Sequence, residues 1–383
     1  MTAITRRSLL GSATAVPMLA STGKALTPPP AGWNWDRTIT DFATLKANVM
    51  KMIERKKSLS ISTLTMLGDI EYCRARAQTP FLDQQSPNGW LTGMDKFILK
   101  GEGYLPQQEI LIRQRERLSD CVHLKRIPKY RMKFLDALLA TPQALVTWIE
   151  TQNWSFPWGV GNIDMDTAYA IAFDWKVMGN PRAHEALRTW FRWHDEKIDK
   201  RTGFWDIANT GELRNTMAGA MHQFGIYFLF NHELPYPEKA AEATIRLQEP
   251  TGLFAADTFS NNCLDIDAVF VLTNIYHRYQ AKQREIRACL ERAFEASLKC
   301  FDPGGGAMNR VGLDKEPDWW STWCRVAITG WSARILGIKD FAAGPWEFRS
   351  RHPFQAEKGG LGLPHWEDDR WYDAVDWPRP AKT

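Results

Sequence analysis

The 383-residue sequence lacks the cysteine spacing of a zinc or redox module. Its six cysteines are scattered, and no two of them form a Cys-x-x-Cys pair: Cys73, Cys121, Cys263, Cys289, Cys300 and Cys324. No metal-binding motif is visible, so we expect neither a bound metal nor a cofactor. For the last four cysteines we favour buried thiols over a disulfide.

The sequence also lacks an excess of charge. Its 48 basic and 44 acidic residues give a formal net charge of +4. Three of the basic residues, Arg6, Arg7 and Lys24, lie within the first 25 residues, so the remainder carries only +1. A near-neutral chain has no electrostatic surface for DNA or RNA, and we expect no nucleic-acid partner.

Long hydrophobic runs are missing after the first 25 residues. No later apolar run approaches the length of about 18 residues that a membrane span requires. Few runs alternate as β-strands do, whereas 44% of all residues are apolar, which is enough for a substantial core. We therefore expect a helical protein with no stable membrane span once its N-terminal segment is removed.

The N-terminal segment has the features of an export signal. The hexapeptide TRRSLL at residues 5–10 resembles the twin-arginine signal, in which an arginine pair precedes a mildly apolar stretch. Small residues at Gly23 and Ala25 suit cleavage after Ala25. The resemblance implies that residues 1–25 form a signal peptide recognised by the twin-arginine export machinery, and that the folded bacterial protein is periplasmic or secreted. The alternative is a disordered basic tail.

Residues 26–36 form a proline-rich linker that cannot be helical through its three prolines. After it, apolar residues recur at steps of three and four, the spacing of amphipathic helices. The pattern predicts helices over residues 42–57, 63–77, 107–121, 129–139, 142–151, 166–177, 181–198, 216–230, 237–247, 267–279, 282–300 and 323–336.

A glycine-containing turn recurs between these helices, at residues 158–161, 202–205, 251–254 and 303–308. Gly203 and Gly252 are 49 residues apart, and Gly252 and Gly305 are 53 apart. A period of about 50 residues with two helices per unit indicates a helical-hairpin repeat, which must stack on neighbouring units to bury its apolar faces. Open solenoids and closed α/α toroids both have units of this size.

The turns Gly203-Phe204-Trp205 and Gly252-Leu253-Phe254 resemble those of the α/α toroid superfamilies, which include six-hairpin glycosidases, toroid polysaccharide lyases and terpenoid cyclases. The resemblance covers residues 154–336. It implies an all-α fold with an α/α toroid over residues 37–340, an inner ring of helices inside an outer ring, and an irregular tail over 341–383 packed on it. The sequence departs from the cyclases because Ala268 follows Asp265-Ile266-Asp267, and the Asp-x-Cys zinc pattern of the prenyltransferases is missing.

Two segments repeat an Asp-x-Asp pair where a loop is predicted to become a helix, at Asp164/Asp166 and at Asp265/Asp267. One interpretation is helix capping. The other is that residues i and i+2 of an extended backbone point the same way, so that four carboxylates line one mouth of the toroid. They would supply the general acid and base of glycoside hydrolysis. Asp166, Asp265 and Asp267 are therefore candidate catalytic residues.

His222 is a further candidate catalytic residue, on the same predicted helix face as Asn215. With Tyr227 it could remove the proton next to a uronate carboxylate, as a polysaccharide lyase does, while Asn215 or an arginine such as Arg325 neutralises the acid. A hydrogen-bonded core histidine is the alternative. His194 is predicted to lie on a packed outer helix.

The chain has 18 tryptophans, and several stand beside predicted turns. Their flat faces suit sugar rings, which makes Trp158, Trp205 and Trp320 candidate substrate-binding residues, with core packing as the rival explanation. The leading hypothesis is an exported carbohydrate-active protein, a glycoside hydrolase or a uronate lyase. The alternatives are a non-catalytic periplasmic scaffold that binds a glycan or a protein, and a terpenoid-cyclase-like enzyme.

A toroid also predicts geometry. The helices that begin near Asp166, Thr216, Asp267 and Trp323 should be inner helices of the same polarity, with their N-termini around one mouth. Asp166, Asp267, Trp205 and Trp320 should lie near that rim, where the helix dipoles favour an acidic ligand.

Overall fold

A computed structural model describes residues 39–56, 127–230, 232–255, 262–311 and 314–344, with isolated positions between 85 and 121. The signal peptide, the linker, the predicted helix 63–77 and nearly all of the tail lie outside this described part. Within it the chain is all-helical and has no strand. The described helices are α1 (Phe42–Lys56), α2 (Pro142–Glu150), α3 (Pro157–Lys176), α4 (Pro181–Lys197), α5 (Leu213–Leu229), α6 (Pro237–Ile245), α7 (Asn262–Tyr279), α8 (Gln283–Leu298) and α9 (Trp319–Leu336).

Several helix starts follow directly from proline and capping residues. Pro142, Pro181 and Pro237 occupy the first helical position, where a missing N–H costs nothing. Thr141 and Asn180 precede two of them, and each side chain accepts a backbone N–H of the first turn. The predicted starts of α2, α4 and α6 are confirmed for this reason.

Several predicted elements were wrong in extent, and α7 begins at Asn262 rather than at Asp267. α3 begins at Pro157 rather than near Asp166, so the glycines of residues 158–161 lie inside a helix and not in a turn. They are needed there because a neighbouring helix comes very close. The predicted helix 129–139 reduces to one 3-10 turn over Lys133–Leu135, followed by further turns.

Burial separates the helices into two classes. α3, α5, α7 and α9 bury side chains around almost their whole circumference. α4 and α8 bury one side and expose the other, as expected of helices that cover a core. The chain alternates between the classes from α3 to α9, so each hairpin pairs one inner helix with one outer helix.

The inner helices α3 and α5 are parallel neighbours in direct backbone contact. A Cβ atom at Gly161 would overlap the Gly219 backbone, and one at Gly219 would overlap the Pro157 carbonyl group. Only glycine allows two helices to approach this closely. Because Pro157 begins α3 and Gly219 lies in the first half of α5, the two N-termini are at the same end.

The remaining inner helices continue the parallel arrangement. Between α7 and α9, Asn262 Nδ2 donates to Ser321 Oγ at 2.6 Å. One turn further along, Asp265 of α7 forms an ion pair with Arg325 of α9. Between α5 and α7, Arg214 Nε at the start of α5 donates to Phe254 O just before α7. Near the other end Arg278 Nη2 donates to Phe228 O at 2.7 Å. The four inner helices therefore share the predicted polarity.

Each outer helix ends in the same turn. The N–H of the first turn residue donates to a carbonyl oxygen at 2.7–2.8 Å, from Asp199 to Phe204, from Glu249 to Leu253 and from Asp302 to Gly306. Gly203, Gly252 and Gly305 take the left-handed conformation within these turns, with φ of 71°, 92° and 109°. Three of the four predicted repeat turns are confirmed.

The turn glycines pack on the next outer helix. A Cβ at Gly203 would lie 2.7 Å from Tyr236 O at the start of α6, and one at Gly252 would lie 2.6 Å from Arg292 O of α8. At Gly305 the nearest atom is Lys51 Cβ of α1, at 2.8 Å. α1 thus packs on the third turn, as α6 packs on the first turn and α8 packs on the second.

Polar and apolar contacts hold α1 there. Asn48 Nδ2 donates to Asp302 O at 2.7 Å, and Gly306 N donates to Asn48 Oδ1 at 2.8 Å. A second hydrophobic cluster surrounds this pair and joins α1 to the last hairpin, with Leu45, Val49, Ile53, Phe294, Leu298, Phe301 and Val326 among its members. The N-terminal and C-terminal parts of the described chain are therefore packed together.

Replacing Asn48 with alanine should destabilise the fold. The Asp302 carbonyl group and the Gly306 N–H group would both lose their hydrogen-bond partner inside the protein. We therefore expect the free energy of unfolding to fall by about 2 kcal/mol. Urea denaturation of Asn48→Ala and of the exposed control Glu54→Gln measures this. Equal stability of the two variants would contradict the role of Asn48.

Candidate functional site

The N-terminal ends of the four inner helices bring aromatic and polar side chains to one end of the molecule. Trp158 and Asn162 of α3, Asn215 of α5, Cys263 of α7 and Trp320 of α9 are half-buried there. Trp320 Nε1 donates to Cys263 Sγ at 2.8 Å. The structure therefore places Trp158, Asn215 and Trp320, three of the predicted binding residues, at the same end.

Asp166 lies in the third turn of α3 and forms a buried ion pair. Arg115 Nε donates to Asp166 Oδ1 at 2.5 Å, and the two side chains are 13% and 0% exposed. Arg115 belongs to the segment predicted as the helix 107–121, of which Leu111, Leu118 and Cys121 are also buried in the core. Asp166 thus faces this segment.

Asp164 points the other way, towards the outer helix α4. Its carboxylate accepts from Trp190 Nε1 at 2.7 Å and lies 2.7 Å from His194 Nε2. His194 Nδ1 donates to Trp190 O at 2.8 Å, so both ring nitrogens face an acceptor. His194 lies on an outer helix as predicted.

Both carboxylate oxygens of Asp265 form bonds within the protein core. Arg325 Nη1 donates to its Oδ2 at 2.8 Å, and both side chains are buried. Its Oδ1 accepts the N–H groups of Phe254 at 2.7 Å and Ala255 at 3.0 Å. Burial works against the charged guanidinium, but Cys300 and Asp265 outweigh it, so the pKa of Arg325 is raised above its ordinary value. The two side chains thus bind each other within the core, and the catalytic role of Asp265 and the substrate-binding role of Arg325 stay predictions.

The two Asp-x-Asp pairs lie at different places in their helices: Asp164 and Asp166 are inside α3, whereas Asp265 is in the first turn of α7. The first pair lies more than a turn inside α3, too far from its start to cap it. Asp265 accepts from the preceding loop and not from its own helix. Residues two apart on a helix point in nearly opposite directions, so neither pair offers two carboxylates to one ligand.

His222 and Asp267 are buried on neighbouring inner helices. His222 of α5 is 2% exposed and Asp267 of α7 is 1% exposed. Both candidate catalytic residues therefore lie in the buried interior, as Asp166 of α3 does.

Tyr227 does not share a site with His222. Its hydroxyl donates to Asp195 Oδ1 at 2.6 Å, and His232 Nε2 lies 2.9 Å from Asp195 Oδ2. Burial, followed by the charge of Asp195, raises the pKa of Tyr227 well above its ordinary value, which makes it a poor base. The two residues are five apart on α5 and so face different sides. The predicted pairing of His222 with Tyr227 stays a prediction, and the bond from Tyr227 to Asp195 does not favour it.

Trp205 is a core residue, not part of a rim. It is 1% exposed, donates its Nε1–H to His194 O at 2.8 Å and packs edge-on against Phe224. A fully buried indole presents no face to a sugar. Only the core-packing alternative survives for this tryptophan.

Asp174, near the end of α3, is a buried acid far from the N-terminal ends of the inner helices. Burial raises its pKa to about 6, although a hydrogen bond from Asn180 at 2.6 Å and the charge of Arg131 lower it. One of its oxygens, Oδ1, has no hydrogen-bond partner in the described part of the chain. Burial is therefore the main reason that the neutral acid is favoured.

Sequence reasoning missed Arg115 and Asp195, each of which pairs with a predicted site residue across more than 30 positions, and it missed His232, which contacts Asp195. Periodicity placed Arg115 on a helix but gave no signal of which helix it would face. Among the described residues, no group of three or more His, Cys, Asp or Glu side chains could hold a metal ion. The five described cysteines are free thiols, and four of them are buried.

No protein-family model, curated protein or solved structure matches this chain. None of the described helices is long and apolar enough to cross a membrane.

Replacing Asp265 with asparagine should cost stability. The buried guanidinium of Arg325 would lose its counter-charge, and we expect a loss of about 3 kcal/mol or more, or failure to fold. Chemical denaturation of Asp265→Asn beside the exposed control Asp340→Asn tests this. A variant as stable as the control would show that the pair does not hold the core together.

Replacing Asp174 with asparagine should flatten the pH dependence of stability. The folded pKa of about 6 lies above the ordinary value of 3.8, so the folded protein keeps a proton that the unfolded chain releases. The free energy of unfolding of the native protein should then fall by up to about 3 kcal/mol as pH rises from 4 to 7. The difference between Asp174→Asn and native protein, measured by urea denaturation at each pH, should grow over this window. A constant difference would contradict it.

Proposed function

We propose that α3, α5, α7 and α9 belong to the inner ring of an α/α toroid and that the cavity between their N-terminal halves binds a glycan. The repeated turn supports closure, because α1 completes the outer ring beside α9. The proposed protein is exported through the twin-arginine route to the periplasm or cell surface.

The contacts of α3 support an inward position for two mouth residues. Gly161 faces α5, Asp164 faces α4, and Asp166 faces the segment of Arg115. With 3.6 residues per turn, the side that remains carries Trp158 and Asn162. An indole and a carboxamide on one face suit the apolar face and the hydroxyl groups of a sugar ring.

The same reasoning supports an inward position for His222. On α5, Gly219 faces α3, Tyr227 reaches α4, and Arg214 and Phe228 face the side of α7. The remaining side carries Asn215 and His222, two turns apart. His222 therefore belongs to the same cavity as Asn215.

Asp267 takes its direction from Asp265. Asp265 faces α9 through Arg325, and a residue two positions later points about 200° away, towards α5 and the interior. Asp166 and Asp267 are thus buried carboxylates on two different inner helices. This observation carries the proposal, because hydrolysis of a glycosidic bond needs one carboxyl group as acid and a second as its partner.

Glycoside hydrolysis is better supported than uronate elimination. The lyase hypothesis used His222 with Tyr227, and the tyrosine is held by Asp195 outside the site. A non-catalytic glycan-binding scaffold uses the same tryptophans and remains the alternative. It needs neither buried carboxylate.

Substituting the carboxylates one at a time tests the proposal. Asp267→Asn and Asp166→Asn should lower kcat by 10²-fold or more while glycan binding persists, because the proton transfers are lost but the stacking surfaces remain. Reducing-sugar release and affinity electrophoresis in gels of xylan, β-glucan, pectin and alginate measure turnover and binding.

The matched control is Asp174→Asn, which removes another buried carboxylate from the same helix as Asp166, outside the cavity. It should keep native turnover. Binding without turnover in the native protein would favour the scaffold, and release of an unsaturated sugar would favour a lyase. Binding to no glycan in the panel would overturn the proposal.

A further inference from the structure

The start of α9 carries three tryptophan side chains on one side of the helix. Trp319, Trp320 and Trp323 lie within a sector of about 100° of the helix circumference, and Trp323 is about one turn deeper than the other two. Exposure falls in the same order: Trp319 is 39% exposed, Trp320 is half-buried and Trp323 is 6% exposed. The three indoles therefore form a stepped surface that runs from solvent towards the interior.

The contacts of α9 with its outer neighbour give the direction of this surface. Thr329 Oγ1 lies 3.3 Å from Ser297 Oγ of the outer helix α8. Trp320 precedes Thr329 by about two and a half helical turns, so the two side chains point to opposite sides of α9. Trp320 thus lies on the side of α9 that faces away from the outer layer.

Hydrogen bonds fix the first turn of α9. Asp318 Oδ1 accepts the N–H of Ser321 at 2.8 Å, and Asn262 Nδ2 of α7 donates to Ser321 Oγ at 2.6 Å. Trp320 Nε1 donates to Cys263 Sγ of α7 at 2.8 Å. A surface that is held in place before binding loses little conformational entropy when a ligand docks on it. The indoles of this turn are therefore carried by a preorganised backbone.

The exposed indole of Trp319 stands at the same end of the molecule as a second exposed aromatic ring. Among the described residues, Phe156 and Trp319 are the large apolar side chains that are exposed, and each lies at the N-terminal end of an inner helix. Exposed apolar side chains that gather at one end of a protein indicate a binding surface, whereas scattered ones do not. An indole suits the apolar face and the hydroxyl groups of a sugar.

The angles between the indole planes indicate how many sugar units this surface takes. The ring centroids of Trp319 and Trp320 are 5.3 Å apart, and their planes meet at 79°. One sugar ring cannot lie flat on two planes that are nearly perpendicular. Trp320 and Trp323 are tilted by only 30°, with centroids 4.9 Å apart, so Trp323 supports the Trp320 ring from below. Trp319 and Trp320 therefore suit two different units of one chain.

We propose that Trp319 forms an outer subsite for a second sugar unit, beyond the unit that stacks on Trp320, so that the ligand is an oligosaccharide or polysaccharide chain and not a single-sugar glycoside. This inference rests on the proposed function, because it names the class of glycan that the same cavity takes. The chain enters the cavity by one end, and its outer units lie against Trp319.

Binding of oligosaccharides of increasing length tests the inference. The probes are ladders of one to six units prepared from xylan, β-glucan, pectin and alginate. They are titrated by calorimetry into protein that carries Asp267→Asn, so that the chains stay intact. Adding Trp319→Ala should weaken binding of the longest chains by about 5–30-fold and of the shortest bound chain by less than about twofold, because only the outer stacking face is lost. Adding Trp320→Ala should weaken binding at every length.

Two further variants serve as controls. Trp319→Phe keeps an aromatic face and should retain most of the affinity for long chains. Tyr276→Ala removes a half-buried aromatic ring from the opposite end of α7 and should bind every chain as the parent protein does.

The possible results separate this inference from the proposed function. An equal loss at all lengths in Trp319→Ala would place both indoles in one subsite and overturn the inference, as would no loss at any length. In either case binding that depends on Trp320 would leave the proposed function standing. Binding to none of the ladders would remove the proposed function and this inference with it.

Discussion

The direct contact of the α3 and α5 backbones at Gly161 and Gly219 sets the geometry on which the rest of the inner layer depends. Two helices without side chains at their crossing can approach closely only in one register, since sliding either helix would bring a side chain into the contact. This register places Asp166 and His222 at defined heights on adjacent helices. A methyl group at either glycine would push them apart and shift both residues relative to the mouth.

Buried charge gives the helices their order. Asp166 pairs with the segment of Arg115, Asp164 with α4, and Asp265 with α9. Each of these three buried acids has a partner on a different element, so a wrong neighbour would leave a charge unpaired in a medium that solvates it poorly. Hydrophobic burial of the inner helices is far less selective, because their surfaces are apolar on nearly every side. The pairs thus distinguish otherwise similar helices.

The sequence predicted what depends on local spacing. Helices α4 and α8 were located to within two residues because their apolar stripes and their end signals agree. The buried helix α3 lacks such a stripe, and its glycines imitate a turn, so its first nine residues were missed. The site was only partly predictable for a related reason. The ion-pair partners of Asp164, Asp166 and Asp265 lie 30 to 60 residues away in the sequence, and the spacing of apolar residues does not indicate contacts over that distance.

The packing of α1 against the last hairpin also bears on the order in which the molecule can form. Asn48 and Gly306 are separated by 258 residues, so α1 leaves the ribosome long before its partner turn exists. At about 5–20 residues per second, the helix waits roughly 10–50 s with its apolar stripe uncovered. An isolated helix of 15 residues is marginally stable in water, so it gains most of its order only on docking. Although α1 is synthesised before the other described helices, it is therefore among the last of them to reach its folded position. It can dock only after the last hairpin has been synthesised.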